Sequence, residues 1–156
     1  MTTYQDEIST QSTGPHLVML ENWISCAPFE KLLNMKIINA KNAQATLTMP
    51  FHYDYTQGAG LMHGGAIVSL ADTAVVMAIK SILPPMTHFA TIKMDSKFLA
   101  PAKKGIITAK ATAKRQGERT ITGTATVFDE SDKPVLKFSS TFRIARHPEI
   151  ITAQGQ

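Results

Sequence analysis

The sequence predicts an α+β fold in which an antiparallel sheet of about five strands wraps around one long central helix, with a short helix near the N-terminus. Two observations lead to this prediction. Five segments alternate polar and apolar residues with a period of two, which is typical of strands that bury one face. One further segment, residues 65–82, is apolar on nearly every side, and a helix of that kind must be buried.

The chain has the size and composition of one globular domain. It has 156 residues, of which 44% are hydrophobic and 18% are charged, and this is enough apolar content for a single core. Residues 1–14 are polar and follow neither period, which predicts a flexible tail. We therefore assign residues 15–146 to a single domain and residues 147–156 to a C-terminal tail.

A short helix is predicted at the start of the domain. Apolar residues recur at helical spacing between residues 16 and 33, and Pro28 interrupts the pattern. The residues that carry this spacing are Leu17, Leu20, Ile24 and Ala27. We expect a peripheral helix that is followed by a turn.

The five predicted strands cover residues 42–49, 92–98, 107–114, 120–127 and 136–144. Short joins with turn residues connect the last three strands, so these strands should form an antiparallel meander. The inward-facing side chains at the middle of the meander are small, which allows a helix to approach the sheet closely. They are Ala109, Ala111, Ala113, Gly123 and Ala125.

Composition restricts the cellular and functional classes. The single cysteine, Cys26, cannot form an internal disulfide, and residues 1–7 lack the basic and apolar regions of a secretion signal, so we expect a cytoplasmic protein. The longest near-apolar stretch, residues 66–79, is shorter than the roughly 20 residues of a membrane span, so no span is predicted. The formal charge of +4 is too small to indicate a nucleic-acid partner. The histidines have no metal-ligand spacing and no dinucleotide-binding fingerprint is present, so no cofactor is implied.

The turn His63-Gly64-Gly65 leads directly into the predicted buried helix. Two glycines at a helix start leave the first backbone N–H groups unshielded, and these groups carry the positive end of the helix dipole. Such a terminus can polarise a carbonyl oxygen on which negative charge develops. The alternative is that the glycines only permit a tight turn or close packing. We interpret His63 as a support for this turn rather than as a proton donor.

Asp72 is the most informative residue, because nearly all of its neighbours in the predicted helix are apolar. Aspartate is seldom buried without a partner. A carboxylate in this place can act as a general base toward water or as a nucleophile toward an acyl group. The alternative is a structural aspartate that is hydrogen-bonded to Ser69, Thr73 or the backbone.

Helical geometry separates the glycine turn from this carboxylate. The seven residues from Gly65 to Asp72 correspond to about 700° of rotation and ~10 Å of rise, so both lie on nearly the same helix face, two turns apart. Reacting atoms must approach within about 3.5 Å, so a carbonyl held at Gly65 would meet an Asp72 from another chain if two such helices pack side by side. The spacing therefore predicts an active site shared across a twofold dimer.

The segment Leu61-Met62-His63-Gly64-Gly65, followed by Leu70-Ala71-Asp72, resembles the His-Gly-Gly and Asp signature of the hotdog-fold thioesterases. The resemblance is to the branch that includes the phenylacetic acid degradation thioesterases. Residues 97–102 followed by Gly105 are similar to the strand-to-loop motif of that family, and the similarity in order extends from about residue 34 to residue 144.

This resemblance implies a homodimer, often paired into a homotetramer, that hydrolyses acyl-CoA to a free acid and CoA, so that CoA is part of the substrate. It implies that the N–H of the second glycine, Gly65, polarises the thioester carbonyl and that Asp72 is the base or nucleophile. Gln57 occupies a position where relatives often carry a water-positioning Asn, and Thr91 one where some carry a Ser. Strand alternation places Thr91 on the face opposite the apolar one, to which Ile92 belongs. A role for Thr91 in the active site therefore requires a bulge in the strand or an interface on its outer face.

Position and charge suggest the substrate contacts. The candidates for binding the CoA phosphates are Lys103, Lys104, Arg115 and Arg119, and the alternative is that these residues only solvate the surface. Met62 is a candidate for the acyl pocket, and the alternative is that it packs in the core. Two other functions fit the same fold. One is a module that binds acyl-CoA or acyl-carrier protein without cleaving it, and the other is a hydratase that acts on an enoyl thioester.

Overall fold

The computed structural model describes residues 18–146. The two predicted tails and Leu17, at the start of the N-terminal helical pattern, lie outside the described residues. The described elements, in chain order, are α1 (Pro28–Leu32), β1 (Lys36–Lys41), β2 (Gln44–Pro50), a 3-10 turn (Tyr53–Tyr55), α2 (Gly64–Lys80), β3 (Phe89–Phe98), β4 (Ile106–Arg115), β5 (Thr120–Phe128) and β6 (Pro134–Ile144).

The strands form one six-stranded antiparallel sheet in the order β1-β2-β4-β5-β6-β3, and the long helix α2 packs against one face of it. The predicted fold class is confirmed, including the meander of β4, β5 and β6. The sheet has one strand more than the five that alternation indicated. In this strand, β1, the pairing register shifts between Ile37 and Asn39, and the bulge breaks the period of two on which the prediction depended.

The small residues of the meander allow α2 to lie close to the sheet. A Cβ atom at Gly123 would lie 2.2 Å from Val75 Cγ1, a distance that no real side chain can occupy. Ala109, Ala111 and Ala125 are buried on the same face. The helix therefore contacts the sheet backbone itself at this point, and its position along the sheet is fixed by packing.

The short N-terminal helix lies later in the chain than predicted. It begins at Pro28, the residue that was expected to interrupt it, and the described residues before Pro28 are not helical. Proline is favoured in the first turn of a helix because its ring fixes a helical φ and its missing N–H would have no partner there. The prediction of a helix over the residues before Pro28 was wrong, and Ile24 instead packs against the core as part of an irregular segment.

The strand β3 forms one edge of the sheet, and three of its apolar side chains are not covered by the described residues. Ile92, Met94 and Phe98 are 56%, 45% and 54% exposed. Sequence alternation had placed these residues on a buried face. Large apolar side chains on an unpaired edge strand are characteristic of a surface that another chain covers. Within residues 18–146, no helix is long and apolar enough to cross a membrane.

Candidate active site

One stripe of α2 is left uncovered by the sheet. It consists of residues spaced three or four positions apart that lie on the same side of the helix, whereas the residues between them are mostly buried. The stripe contains Gly65, Ser69, Asp72, Val76 and Lys80. It therefore carries both the glycine turn and the aspartate that the sequence singled out, two helical turns apart.

Asp72 lies at the middle of this stripe and is half-buried. The Thr91 hydroxyl donates to Asp72 Oδ1 at 3.4 Å, which is long for an O–H···O hydrogen bond. Thr91 faces the helix because the register of β3 shifts between Thr91 and Lys93. The bulge that involvement of Thr91 required is therefore present.

Burial raises the pKa of Asp72 above the usual aspartate value of 3.8. The hydrogen bond from Thr91 acts in the opposite direction, and the negative charge of Glu30 raises the pKa further. Within the described residues, no lysine, arginine or histidine forms a salt bridge with Asp72. The ionised carboxylate is thus poorly stabilised, which increases its affinity for a proton.

Glu30 is a site residue that the sequence analysis missed. It lies on α1 and lines, together with Ser69, Asp72 and Met94, a cavity of about 260 Å³. Nothing in the local sequence pattern indicates that α1 packs beside the uncovered stripe of α2, so only the tertiary structure identifies this second carboxylate.

His63 caps the start of α2. Its Nδ1 accepts a hydrogen bond from the Gly65 N–H at 2.8 Å, and its carbonyl accepts from the Ala66 and Ile67 N–H groups at 3.0 and 3.3 Å. The Gly65 N–H is therefore already used within the turn. Among the described residues, the Gly64 N–H has no hydrogen-bond acceptor. This differs from the expectation that Gly65 offers the free donor, because the supporting His63 side chain itself accepts the hydrogen bond of the Gly65 N–H.

Close packing also accounts for both glycines of the turn. A Cβ atom at Gly64 would lie 3.1 Å from Phe98 Cζ, and one at Gly65 would lie 2.9 Å from His63 Nδ1. Beside the turn, a cavity of about 390 Å³ is lined by residues that include Phe29, Tyr55 and Ser69. The helix start thus faces an open space that a substrate group can enter.

Gln57 is engaged within its own loop. Its side-chain oxygen accepts a hydrogen bond from the Ala59 N–H, and its backbone N–H donates to the Leu61 carbonyl at 2.8 Å. The side-chain NH₂ group and the second lone pair of the side-chain oxygen are left to hold a water molecule. The structure does not bring Gln57 into hydrogen-bond contact with Asp72 of the same chain.

The four cations proposed for the CoA phosphates lie in two separate places. Lys103 and Lys104 are exposed beside the helix start, because the Met62 N–H donates to the Ala102 carbonyl at 3.0 Å. Lys104 also lies 3.5 Å from Glu130.

Arg115 is at the opposite end of β4, roughly 30 Å away for a strand of this length. Its guanidinium donates to the carbonyls of Gly117 and Glu118, and that of Arg119 donates to Ile144. Within one chain, both arginines therefore lie far from Lys103 and Lys104, and backbone carbonyls use part of their donors.

Met62 was a candidate for the acyl pocket, but it is 4% exposed and belongs to the hydrophobic core. Its backbone pairs with Thr56 in an isolated bridge, so the residue ties the glycine turn to the segment that follows the 3-10 turn. The alternative of core packing is the one that the structure supports.

Comparison with known proteins places these features in a family. A family model described as the thioesterase superfamily matches residues 59–136, which make up half of the chain and contain the glycine turn and Asp72. The chain belongs to the thioesterase superfamily. The predicted resemblance is confirmed, and with it the enzyme class of thioester hydrolases at the level of the family.

Individual relatives of this thioesterase-superfamily chain agree. It is 30% identical over 91 residues to a protein of Saccharolobus solfataricus that is named as an esterase, a match that covers 58% of this chain and 64% of that protein. It is 28% identical over 105 residues to a 1,4-dihydroxy-2-naphthoyl-CoA hydrolase of Listeria monocytogenes, covering 67% of this chain and 85% of the relative. The structure of PaaI, from the phenylacetic acid degradation operon of E. coli, is similar with a TM-score of 0.69 and 27% identity, covering 75% of this chain and 83% of PaaI.

Proposed function

We propose that this protein is an acyl-CoA thioesterase that works as a homodimer. The Gly64 N–H of one subunit binds the thioester carbonyl oxygen, and Asp72 of the partner subunit acts as the base or the nucleophile. The observation that carries the proposal is the half-buried Asp72 carboxylate, which has no salt-bridge partner in the described chain and only a long hydrogen bond from Thr91. The similarity to a CoA hydrolase supports the CoA thioester as the substrate.

The chemistry follows from these two groups. If Asp72 acts as a base, it takes a proton from a water molecule whose oxygen attacks the thioester carbon. If it acts as a nucleophile, its oxygen attacks that carbon directly and water later cleaves the resulting anhydride. In both cases negative charge develops on the carbonyl oxygen, where the Gly64 N–H and the positive end of the α2 dipole stabilise it. The carbon–sulfur bond then breaks, and the products are a carboxylic acid and CoA.

The edge strand β3 supports the arrangement of the dimer. It runs beside the stripe of α2, with Phe98 next to Gly64 at one end and Thr91 next to Asp72 at the other. If two β3 edges pair antiparallel around a twofold axis, the Phe98 end of one subunit lies opposite the Thr91 end of the other. Such pairing brings the helix start of one chain toward the carboxylate of its twin. Pairing of dimers into a tetramer is part of the proposal, and Lys103 and Lys104, beside the helix start, are its candidates for binding the CoA phosphates.

A charge at the centre of this edge is expected to separate the subunits. In the antiparallel arrangement Met94 lies near the twofold axis and, within its own chain, beside Glu30 and Asp72, so Met94→Glu would bring like charges together at this contact. We expect a monomer by light scattering and a loss of thiol release to background. Thr112→Glu, on the exposed outer face of β4, introduces the same charge three strands away from β3 and should leave mass and activity unchanged. A fully active dimeric Met94→Glu protein would disprove the shared edge.

The pH dependence of activity is expected to respond to Glu30. Activity requires ionised Asp72, so it should rise with pH through the raised pKa of that carboxyl, above the range of an ordinary aspartate. Glu30→Gln removes a negative charge that raises the pKa of Asp72 and should move the acid limb of the kcat profile to lower pH. The measurement is kcat against pH for both proteins, with Glu21→Gln, on the irregular segment before α1, as the control. An acid limb that stays in place would mean that Glu30 does not act on Asp72.

Incubating the protein with a panel of acyl-CoA thioesters and measuring the release of free thiol tests the proposed reaction directly. A thioesterase releases CoA and free acid in equal amounts. Tight binding without thiol release would instead select the acyl-CoA or acyl-carrier binding module. Loss of enoyl absorbance without thiol release would select the hydratase.

A further inference from the structure

A second cavity continues the site beyond Asp72. It has a volume of about 250 Å³, and apolar side chains of α2, β3 and β6 form its walls. Among them, the rings of Phe89 and Phe142 meet edge to face with 5.7 Å between their centroids. Val76 lines both this cavity and the one that contains Asp72, and Thr91, which contacts Asp72, also lines it. A group attached to a carbonyl at Asp72 can therefore extend along the stripe into this space.

Lys80 lines the end of the cavity away from Asp72, eight residues and thus ~12 Å further along the helix. Its ammonium donates to the Trp23 carbonyl at 3.1 Å and lies 4.7 Å from the centroid of the Trp23 ring. The Trp23 indole N–H donates in return to the Lys80 carbonyl at 3.0 Å, so the two residues hold each other in place. The cation is thus positioned by a second element of the fold rather than free in solvent.

The Lys80 ammonium has unused capacity to bind an anion. The Trp23 carbonyl accepts one of its three donors, and within residues 18–146 no carboxylate lies within salt-bridge distance of it. Burial lowers the pKa of Lys80, and the charge of Glu30 only partly opposes this effect. A half-buried cation of this kind is stabilised most by an anion that enters beside it.

His88 also lines this cavity. Its Nε2 atom is buried out of reach of solvent and has no hydrogen-bond partner among the described residues, although most buried polar atoms are paired. The His88 carbonyl accepts a hydrogen bond from the Ala145 N–H at 2.8 Å, which holds the chain in place. The cavity thus combines apolar walls with one cation, Lys80, that has donors to spare.

We propose that this cavity binds acyl groups that end in a carboxylate, so that the preferred substrates are CoA monothioesters of dicarboxylic acids. The methylene groups contact Val76, Phe89 and Phe142, and the terminal carboxylate accepts hydrogen bonds from the Lys80 ammonium. The ~12 Å between Asp72 and Lys80, less the reach of their side chains, suits an acyl chain of about six to eight carbons. This inference rests on the proposed thioesterase function and adds its substrate class.

The test compares matched pairs of CoA thioesters that differ only in the terminal group, a carboxylate or a methyl, at four, six and eight carbons. We expect the wild-type protein to have the higher kcat/KM for the carboxylate member at six or eight carbons. Lys80→Met keeps most of the length of the side chain but removes its charge, and it should lower the ratio of the two kcat/KM values by at least about tenfold. Lys80→Arg should retain part of the preference, and Lys114→Met, on the exposed outer face of β4, should retain all of it.

The ratio guards against misfolding, because a damaged fold lowers both kcat/KM values together. Hydrolysis of both members with equal kcat/KM, or a ratio that Lys80→Met leaves unchanged, would overturn the inference while the thioesterase function stands. Absence of thiol release from every thioester would overturn the proposed function and this inference with it.

Discussion

Asp72→Asn is expected to lower kcat for acyl-CoA hydrolysis by about 10²- to 10⁴-fold, the range that a positioned base contributes. Asparagine has nearly the same shape, and its side-chain oxygen can still accept the hydrogen bond from Thr91. It can neither take a proton from water nor attack a carbonyl carbon. The measurement is thiol release at saturating substrate for the wild-type and variant proteins.

Stability serves as the control for this substitution. Since burial raises the pKa of Asp72, the folded chain holds this proton more tightly than the unfolded chain does. The resulting stability is complete below the unfolded pKa and is lost as pH rises through the folded pKa. At neutral pH, Asp72→Asn should therefore have a Tm at or above that of the wild type. Asp132→Asn, at an exposed position in the loop between β5 and β6, should change kcat little. Unchanged turnover in Asp72→Asn would remove this carboxylate from the mechanism.

Local patterns in the sequence identified most of the fold. Strict alternation identified β2, β4, β5 and β6, and uniform apolarity identified α2 to within two residues at each end. The alternation pattern gave a wrong prediction where pairing or packing between distant parts of the fold differed from it. The bulge in β1 concealed a strand, and the apolar face of β3 was assigned to the core although it is exposed within the chain. Alternation reports that a face is apolar but not which chain covers it.

The site shows the same division between local and tertiary information. Asp72 was visible because a charged residue in an apolar helix requires a reason. The partners that set its properties, Glu30 on α1 and Thr91 on a bulged strand, come from elements whose packing the sequence does not reveal. The choice between the two glycines depended on one hydrogen bond that His63 accepts from the Gly65 N–H, which spacing along a helix cannot predict.

Gly64→Pro is expected to lower kcat by about 10²- to 10³-fold, which is the effect of removing one donor from an oxyanion site. Proline deletes the Gly64 N–H and occupies the first position of α2, where its fixed φ is favourable. His63 already has φ of −61° and ψ of 132°, a conformation that suits the residue before a proline. The helix should therefore form normally while the proposed donor is lost, and circular dichroism together with thiol release measures both.

Gly64→Ala separates loss of the donor from crowding at Phe98. It adds a Cβ atom 3.1 Å from Phe98 Cζ but keeps the N–H, so it should retain far more activity than Gly64→Pro.

If the active site is shared between two subunits, mixing Gly64→Pro chains with Asp72→Asn chains should restore activity. A mixed dimer has one site with both defects and one site with neither, so co-refolding equal amounts should restore about a quarter of wild-type activity. If each chain carried its own complete site, both sites of the mixed dimer would be defective. Mixing would then restore nothing, even though the chains associate.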